Sequence, residues 1–378
     1  MKKTLWFLGI ALLFTACFPK QTLPTKGTAQ ESHYIVVAYV TGWENNWGEY
    51  FEKANQVTHV NYAFANIKNG KVVEGDEGDA EDLNKLQVLK EINPDLKILI
   101  SVGGWGWSGN FSDAVLTEAS RQVFAQSAVD FMLRHQLDGI DLDWEYPGQR
   151  GAGNVYRPED KENFTAVLKL LRTKLDSLSP EGAPYLLTIA TGANQNYLDH
   201  TDMKTAHQYL DFINIMTYDF HGSFEKKTGH NANLYVSEYD DNERVISADI
   251  AVQQHILAGI PASKIILGVP FYGKWWKGVN RKNNGLYQPA TGAAGGHNFR
   301  FIKDSLLTNN DFVQLWDSTA QIPYLWCEKD SQFVTYENPE SIRQKAAFVK
   351  KHQLGGIMFW QYNGDDGTLL KAIDDHLK

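Results

Sequence analysis

The sequence is poor in cysteine, with two in 378 residues, at positions 17 and 327. No framework of internal disulfides can be built from them, so stability has to come from a packed core. Basic charge is also in deficit: 36 Lys and Arg stand against 45 Asp and Glu, a net charge of −9. Phosphate binding needs a basic footprint, which excludes nucleic acid as the main partner and favours a neutral, sugar-like ligand. Apolar runs are short, and the longest, residues 5–14, falls well below membrane-spanning length. No GxGxxG turn follows the first strand-like run, which removes the signature of a dinucleotide-binding sheet. The remaining composition, 43% hydrophobic and 21% charged, is that of a globular chain.

Met1-Lys2-Lys3, the apolar run and Thr15-Ala16-Cys17 have the layout of a secretory signal over residues 1–16. A cysteine directly after a small residue at the cleavage point resembles the bacterial lipoprotein signal, so Cys17 is expected to be lipidated. A tether follows over residues 17–32, rich in Pro, Thr, Gln, Lys and Gly. The expected location is a bacterial membrane reached through the lipid alone. Residues 18–22 carry no acidic run, which favours the periplasmic face, with the cell surface or plain secretion as alternatives. Losing Lys2 and Lys3 makes the remainder still more acidic. Cys327, flanked by Trp326 and a nearby Leu325, reads as a small buried hydrophobe.

Runs rich in Val, Ile and aromatic residues recur at 34–40, 57–65, 97–105, 139–144, 186–193, 211–218, 264–272 and 355–362, each ended by Gly, Asn, Asp or Pro. They predict eight strands. Helical spacing is clearest at 80–92, 117–135 and 158–178, the last opening on Pro158 and acidic residues. Strands alternating with helices imply parallel pairing, so the fold class is α/β, a closed (β/α)8 TIM barrel rather than an open doubly wound sheet. The gap from Lys264 to Gly355 is much the longest between successive strands. A small α+β insertion over residues 274–335, between strand 7 and helix 7, would account for it, leaving 33–273 and 336–378 to the barrel. Two of its strands are expected at 324–328 and 333–336.

Chemistry concentrates after the fourth strand. In Asp138-Gly139-Ile140-Asp141-Leu142-Asp143-Trp144-Glu145-Tyr146-Pro147 the alternation is strict. Asp141, Asp143 and Glu145 therefore share one strand face, and Ile140, Leu142 and Trp144 the other. Three carboxyls in one row repel and desolvate one another, so at least one pKa is raised. Glu145 comes last, at the end of the strand where this fold places its reactive groups, and reads as an acid. A hard-cation site is the competing reading, disfavoured because calcium ligands usually come from an irregular loop. No metal and no cofactor is expected.

The row resembles the DxxDxDxE signature of glycoside hydrolase family 18, the chitinase family. Ser101-Val102-Gly103-Gly104 is similar to the family's SxGG motif, Met216-Thr217-Tyr218-Asp219 to its strand-six motif, and Trp360 to the tryptophan at the end of strand eight. The resemblance implies a retaining mechanism in which the substrate's own N-acetyl group is the nucleophile. By it Glu145 is general acid and then base, Asp143 orients the acetamido nitrogen, Asp141 shares a proton or hydrogen bond with Asp143, and Tyr218 donates to the acetamido carbonyl. It also implies that Tyr39, Phe64, Met216, Asp219 and Trp360 line the −1 subsite, with Trp105, Tyr146, Tyr272 and Lys274 as further substrate contacts. Lys274 departs from the arginine that many members carry there, replacing a bidentate contact by a point charge. Trp43, Trp47, Trp107, Trp275 and Trp276 are further candidates for stacking sugar rings.

The expected partner is chitin or another N-acetylglucosamine-containing glycan, met by a monomer. The chitinase reading ranks above an endo-β-N-acetylglucosaminidase acting on N-glycans and a peptidoglycan-directed enzyme. A non-catalytic glycan-binding lipoprotein is the reading from a different class.

Overall fold

The computed structural model describes residues 34–43, 51–222, 224–243 and 245–377. The signal, Cys17 and the tether lie outside them, as does Trp47. Strands run in chain order as β1 Ile35–Thr41, β2 His59–Lys68, β3 Lys71–Glu74, β4 Lys97–Gly103, β5 Gly139–Asp143, β6 Leu186–Gly192, β7 Phe212–Met216, β8 Ile265–Pro270, β9 Tyr272–Val279, β10 Ala290–Asn298, β11 Val313–Asp317, β12 Ile322–Cys327, β13 Gln332–Thr335 and β14 Gly356–Trp360.

Eight of these, β1, β2, β4 to β8 and β14, pair in parallel, and β1 bonds to both β2 and β14, so the sheet closes on itself. β3 only folds back antiparallel on β2. Closure leaves no exposed edge, and the helices Glu118–Arg134, Asp160–Leu178, Ala248–Leu257 and Pro339–Lys351 supply the outer ring. Ile140, Leu142 and Trp144 point outward into that layer, where Trp144 stacks on Phe111 at 5.0 Å and meets Phe164 edge-on. Their alternation leaves Asp141 and Asp143 facing the barrel axis, as the period-two reading requires.

Local chemistry explains where elements stop. Helix Glu118–Arg134 opens on a capping box between Thr117 and Ser120, and Pro339–Lys351 on one between Asn338 and Ser341. β4 ends at Gly103 rather than Trp105 because Gly103 and Gly104 take positive φ, 106° and 75°. β7 ends at Met216 rather than Tyr218, and Asp219 follows with φ at 56°. Residues 80–92 form two helices, Asp79–Gln87 and Leu89–Ile92, instead of one.

The largest difference lies after β8. The seventh barrel strand stops at Pro270, and Tyr272 opens a second sheet of five strands, β10-β9-β13-β12-β11, all antiparallel. Only β12 and β13 were expected from alternation. β9 and β10 carry Lys274, Lys277, Gly278 and four residues of Ala-Ala-Gly-Gly between Gly292 and His297, which break the period-two signal. A small core of Trp276, Val279, Leu286, Tyr287, Tyr324, Trp326 and Phe333 holds this sheet. Trp276 is fully buried within it, so it is a core residue and not a sugar platform. Trp275 is half-buried against His297 and Lys277 and likewise lies off the cleft. Cys327 is buried, as expected.

Candidate active site

Parallel register sets Asp141 level with Ser101 on β4 and Thr188 on β6. Four donors consequently converge on its carboxylate: Tyr39 Oη at 2.8 Å and Ser101 Oγ at 2.7 Å on one oxygen, Thr188 Oγ1 at 2.6 Å and Asn214 Nδ2 at 3.4 Å on the other. Burial raises the Asp141 pKa and these hydrogen bonds oppose the rise. With its oxygens so engaged, Asp141 makes no hydrogen bond to Asp143. Tyr39 is likewise beneath the floor, 2% exposed, and supports Asp141 instead of lining the site.

Asp143 is the next inward residue and the first to reach open space. Its Oδ1 is buried without a hydrogen-bond partner. Burial first, then the charges of Glu145 and Asp141, hold its pKa well above the usual carboxylate range. Glu145, 7% exposed, is pushed up to about 7, chiefly by burial, with Asp219 adding to the rise and the Tyr146 hydroxyl opposing it. Its backbone is fixed by Ser108, whose Oγ accepts from Glu145 N at 2.9 Å and lies 3.1 Å from the Asp143 carbonyl. Nothing in the sequence marked Ser108. Thr188 and Asn214 were legible in principle, as inward polar positions in otherwise Ile and Leu strands.

A cavity of about 830 Å³ opens over these groups, at the C-terminal ends of the barrel strands. Phe64, Trp105, Tyr146, Met216, Tyr218, Asp219, Tyr272, Lys274 and Trp360 all line it together with Asp143 and Glu145, as do Trp43 and Trp107. Trp360 stacks on Phe64 with ring centroids 5.5 Å apart and forms the floor. Trp105 stands 57% exposed at the rim. Tyr218 Oη donates to the Met358 thioether at 3.9 Å, a weak acceptor. Lys274 does not present a free charge: its Nζ is 2.8 Å from Asp219, which also accepts from Tyr272 Oη at 2.8 Å. The second sheet thus supplies one wall of the cavity through Tyr272 and Lys274. Phe220, Phe224, Asn194 and Ile246 add to the lining without having been singled out by any motif. No group of three or more His, Cys, Asp or Glu suited to a metal occurs among the described residues.

The model of the glycosyl hydrolases family 18 matches residues 35–365. Chitinase A1 of Niallia circulans is 37% identical over 438 residues, covering 98% of this chain and 62% of that protein. Chitotriosidase-1 of Mus musculus is 36% identical over 351 residues, covering 88% of this chain and 73% of that protein. Among solved structures, a family 18 N-acetylglucosaminidase from Paenibacillus barengoltzii is similar with a TM-score of 0.85 at 41% identity, covering 91% of this chain and all of the other. The group IV chitinase of Ostrinia furnacalis gives 0.84 at 31% identity with the same coverage.

Proposed function

The chain belongs to glycosyl hydrolases family 18, and on that premise we propose that it is a chitinase, hydrolysing β-1,4 bonds between N-acetylglucosamine units. One observation carries the mechanism. Asp143 lines the cavity, and its Oδ1 is a buried oxygen to which no group among the described residues donates; a buried acceptor left unpaired is costly unless function retains it. The amide N–H of a 2-acetamido group supplies the missing donor. In that pose the acetamido carbonyl is held against the anomeric carbon, with the Tyr218 hydroxyl turned from Met358 to polarise it.

Glu145, whose raised pKa of about 7 keeps a large share of it protonated up to neutrality, gives its proton to the glycosidic oxygen as the C–O bond breaks. The carbonyl oxygen closes on the anomeric carbon to form an oxazolinium ion, whose N–H the Asp143 carboxyl oxygen accepts. Water then loses a proton to Glu145 and attacks the same carbon, so the configuration is retained. Asp141 acts from below, fixing the floor on which Asp143 stands. The apolar faces of sugar rings find Trp360, Trp105, Trp43 and Trp107 along the walls.

Glu145→Gln removes the acid at constant shape and lowers turnover of chitooligosaccharides by roughly two to four orders of magnitude. Near-normal turnover in that variant sinks the assignment. A second reading, release of N-acetylglucosamine as the main product, is supported by the similarity to the N-acetylglucosaminidase of Paenibacillus barengoltzii. Product profiles on chitin oligomers, a high-mannose glycopeptide and peptidoglycan, run side by side, separate these readings, and proton NMR of the first product reads out retention as the β-anomer.

A further inference from the structure

Behind one wall of the cleft lies a buried carboxylate that the proposed chemistry does not use. Asp79, 4% exposed, accepts from Tyr62 Oη at 2.6 Å through Oδ1. Through Oδ2 it accepts from the backbone N–H of Gly75 at 2.7 Å and of Asp76 at 3.0 Å. Two glycines pack against this arrangement, and each supports a tryptophan of the cleft. A β-carbon on Gly42 would fall 2.2 Å from Tyr62 Oη and 3.1 Å from Asp79 Oδ1, so the chain leading into Trp43 lies directly on the pair. A β-carbon on Gly75 would fall 2.1 Å from the Trp107 ring, so that indole rests on the backbone whose N–H Asp79 holds. Trp43 and Trp107 both line the cavity, although they come from different strand ends, after β1 and after β4.

We propose that Tyr62 and Asp79 are positioning residues for a two-tryptophan sugar platform, setting affinity for oligosaccharides long enough to reach Trp43 and Trp107 and leaving bond cleavage at Glu145 unchanged. The inference rests on the chitooligosaccharide reading above. Its physical basis is preorganisation: a ring already held in place loses little freedom when a sugar stacks on it. Asp79 is suited to the task because a carboxylate accepts on both oxygens. An amide in its place must turn an NH2 group toward either the Tyr62 hydroxyl or the two backbone donors.

The test compares wild type, Asp79→Asn and Tyr62→Phe on chitohexaose and on an aryl glycoside of chitobiose, with melting temperatures recorded for each. The expected result is a KM for chitohexaose raised roughly three- to tenfold, the range of aromatic contacts, with kcat on that substrate and both constants on the aryl disaccharide held within twofold. Adding Trp107→Ala to Asp79→Asn is expected to cost less than the sum of the two single changes, because both act on one ring. Equal losses on the short and long substrates, or no change on either, overturn the proposal. If wild type cleaves neither substrate, the chitooligosaccharide reading is what fails. The positioning role is then read by mass-spectrometric footprinting of Trp43 and Trp107 oxidation, which Asp79→Asn must increase and which an unchanged pattern refutes.

Discussion

Burial of Glu145 works in opposite directions on activity and on stability. Its pKa rises from the usual glutamate range to about 7, so the acid form needed for leaving-group protonation is lost as pH rises through about 7. The alkaline limb of kcat/KM is expected there, and a limb set near 4.5 in the wild type would contradict it. For folding, the native state holds this proton more tightly than the unfolded chain, so stability is full below the unfolded value and falls as pH rises toward 7. Glu145→Gln removes that penalty. It is expected to stabilise the protein at pH 8, by about 1–3 kcal/mol, and to leave stability at pH 4 unchanged, as urea denaturation at the two pH values can show. One residue therefore trades fold stability for a usable acid, as placement of a carboxyl in a desolvated site requires.

At the level of elements, strand register is what surrounds Asp141 with hydroxyls from β1, β4 and β6. Thr188→Val keeps the shape and removes the 2.6 Å hydrogen bond to Asp141, leaving a buried carboxylate oxygen short of a donor. The cost is expected to be about 1–3 kcal/mol by urea denaturation, whereas Ile189→Val on the opposite face of β6 costs about 0.5–1.5 kcal/mol by lost packing. Comparable turnover in both variants would show that Asp141 does not depend on its hydroxyl ring. The tryptophans divide in the same way by the element that carries them. Trp276, sealed in the second sheet, is expected to cost about 3–5 kcal/mol on truncation to Ala. Trp105→Ala, at the exposed rim, is expected to leave stability within about 0.5 kcal/mol while raising KM for oligosaccharides; unaltered KM would remove Trp105 from the substrate path.

Across the whole unit, a buried ion pair fixes the joint where the chain leaves the second sheet and enters the helix Pro339–Lys351. Lys345, on helix Pro339–Lys351, is bonded to Glu337 just after β13 and donates to the Ala232 carbonyl at 2.7 Å. Both side chains are essentially inaccessible. Burial raises the Glu337 pKa and lowers that of Lys345; each charge opposes the shift of the other, and the Ser341 hydroxyl, donating to Glu337 at 2.5 Å, adds its support to the carboxylate. Lys345→Met is expected to cost about 3–5 kcal/mol, since it strands a buried carboxylate. Pairing it with Glu337→Leu is expected to recover most of the loss, because an apolar pair of similar volume has no charge to desolvate. If the double variant is as unstable as the single one, the bond to Ala232 rather than the ion pair is what holds the joint. The same joint matters to the cleft, because the second sheet enters it through Tyr272 and Lys274.

Much of this architecture was legible along the chain. Period two placed Asp141, Asp143 and Glu145 on the inner face, the strand and helix alternation gave a closed barrel, and the long gap after Lys264 left room for the second sheet. Those features are local patterns, and a local pattern is readable without knowing its neighbours. What only the tertiary structure decided are relations between distant segments. Four strands had to close before Tyr39, Ser101, Thr188 and Asn214 could meet one carboxylate and leave Asp143 as the unpartnered one. The second sheet had to fold before Lys274 could be found bonded to Asp219, and Trp276 found in a core. Hydrogen bonds and burial depend on distance in space, which sequence separation does not encode, and so the residue types of the site were written in the chain while its partnerships were made by the fold.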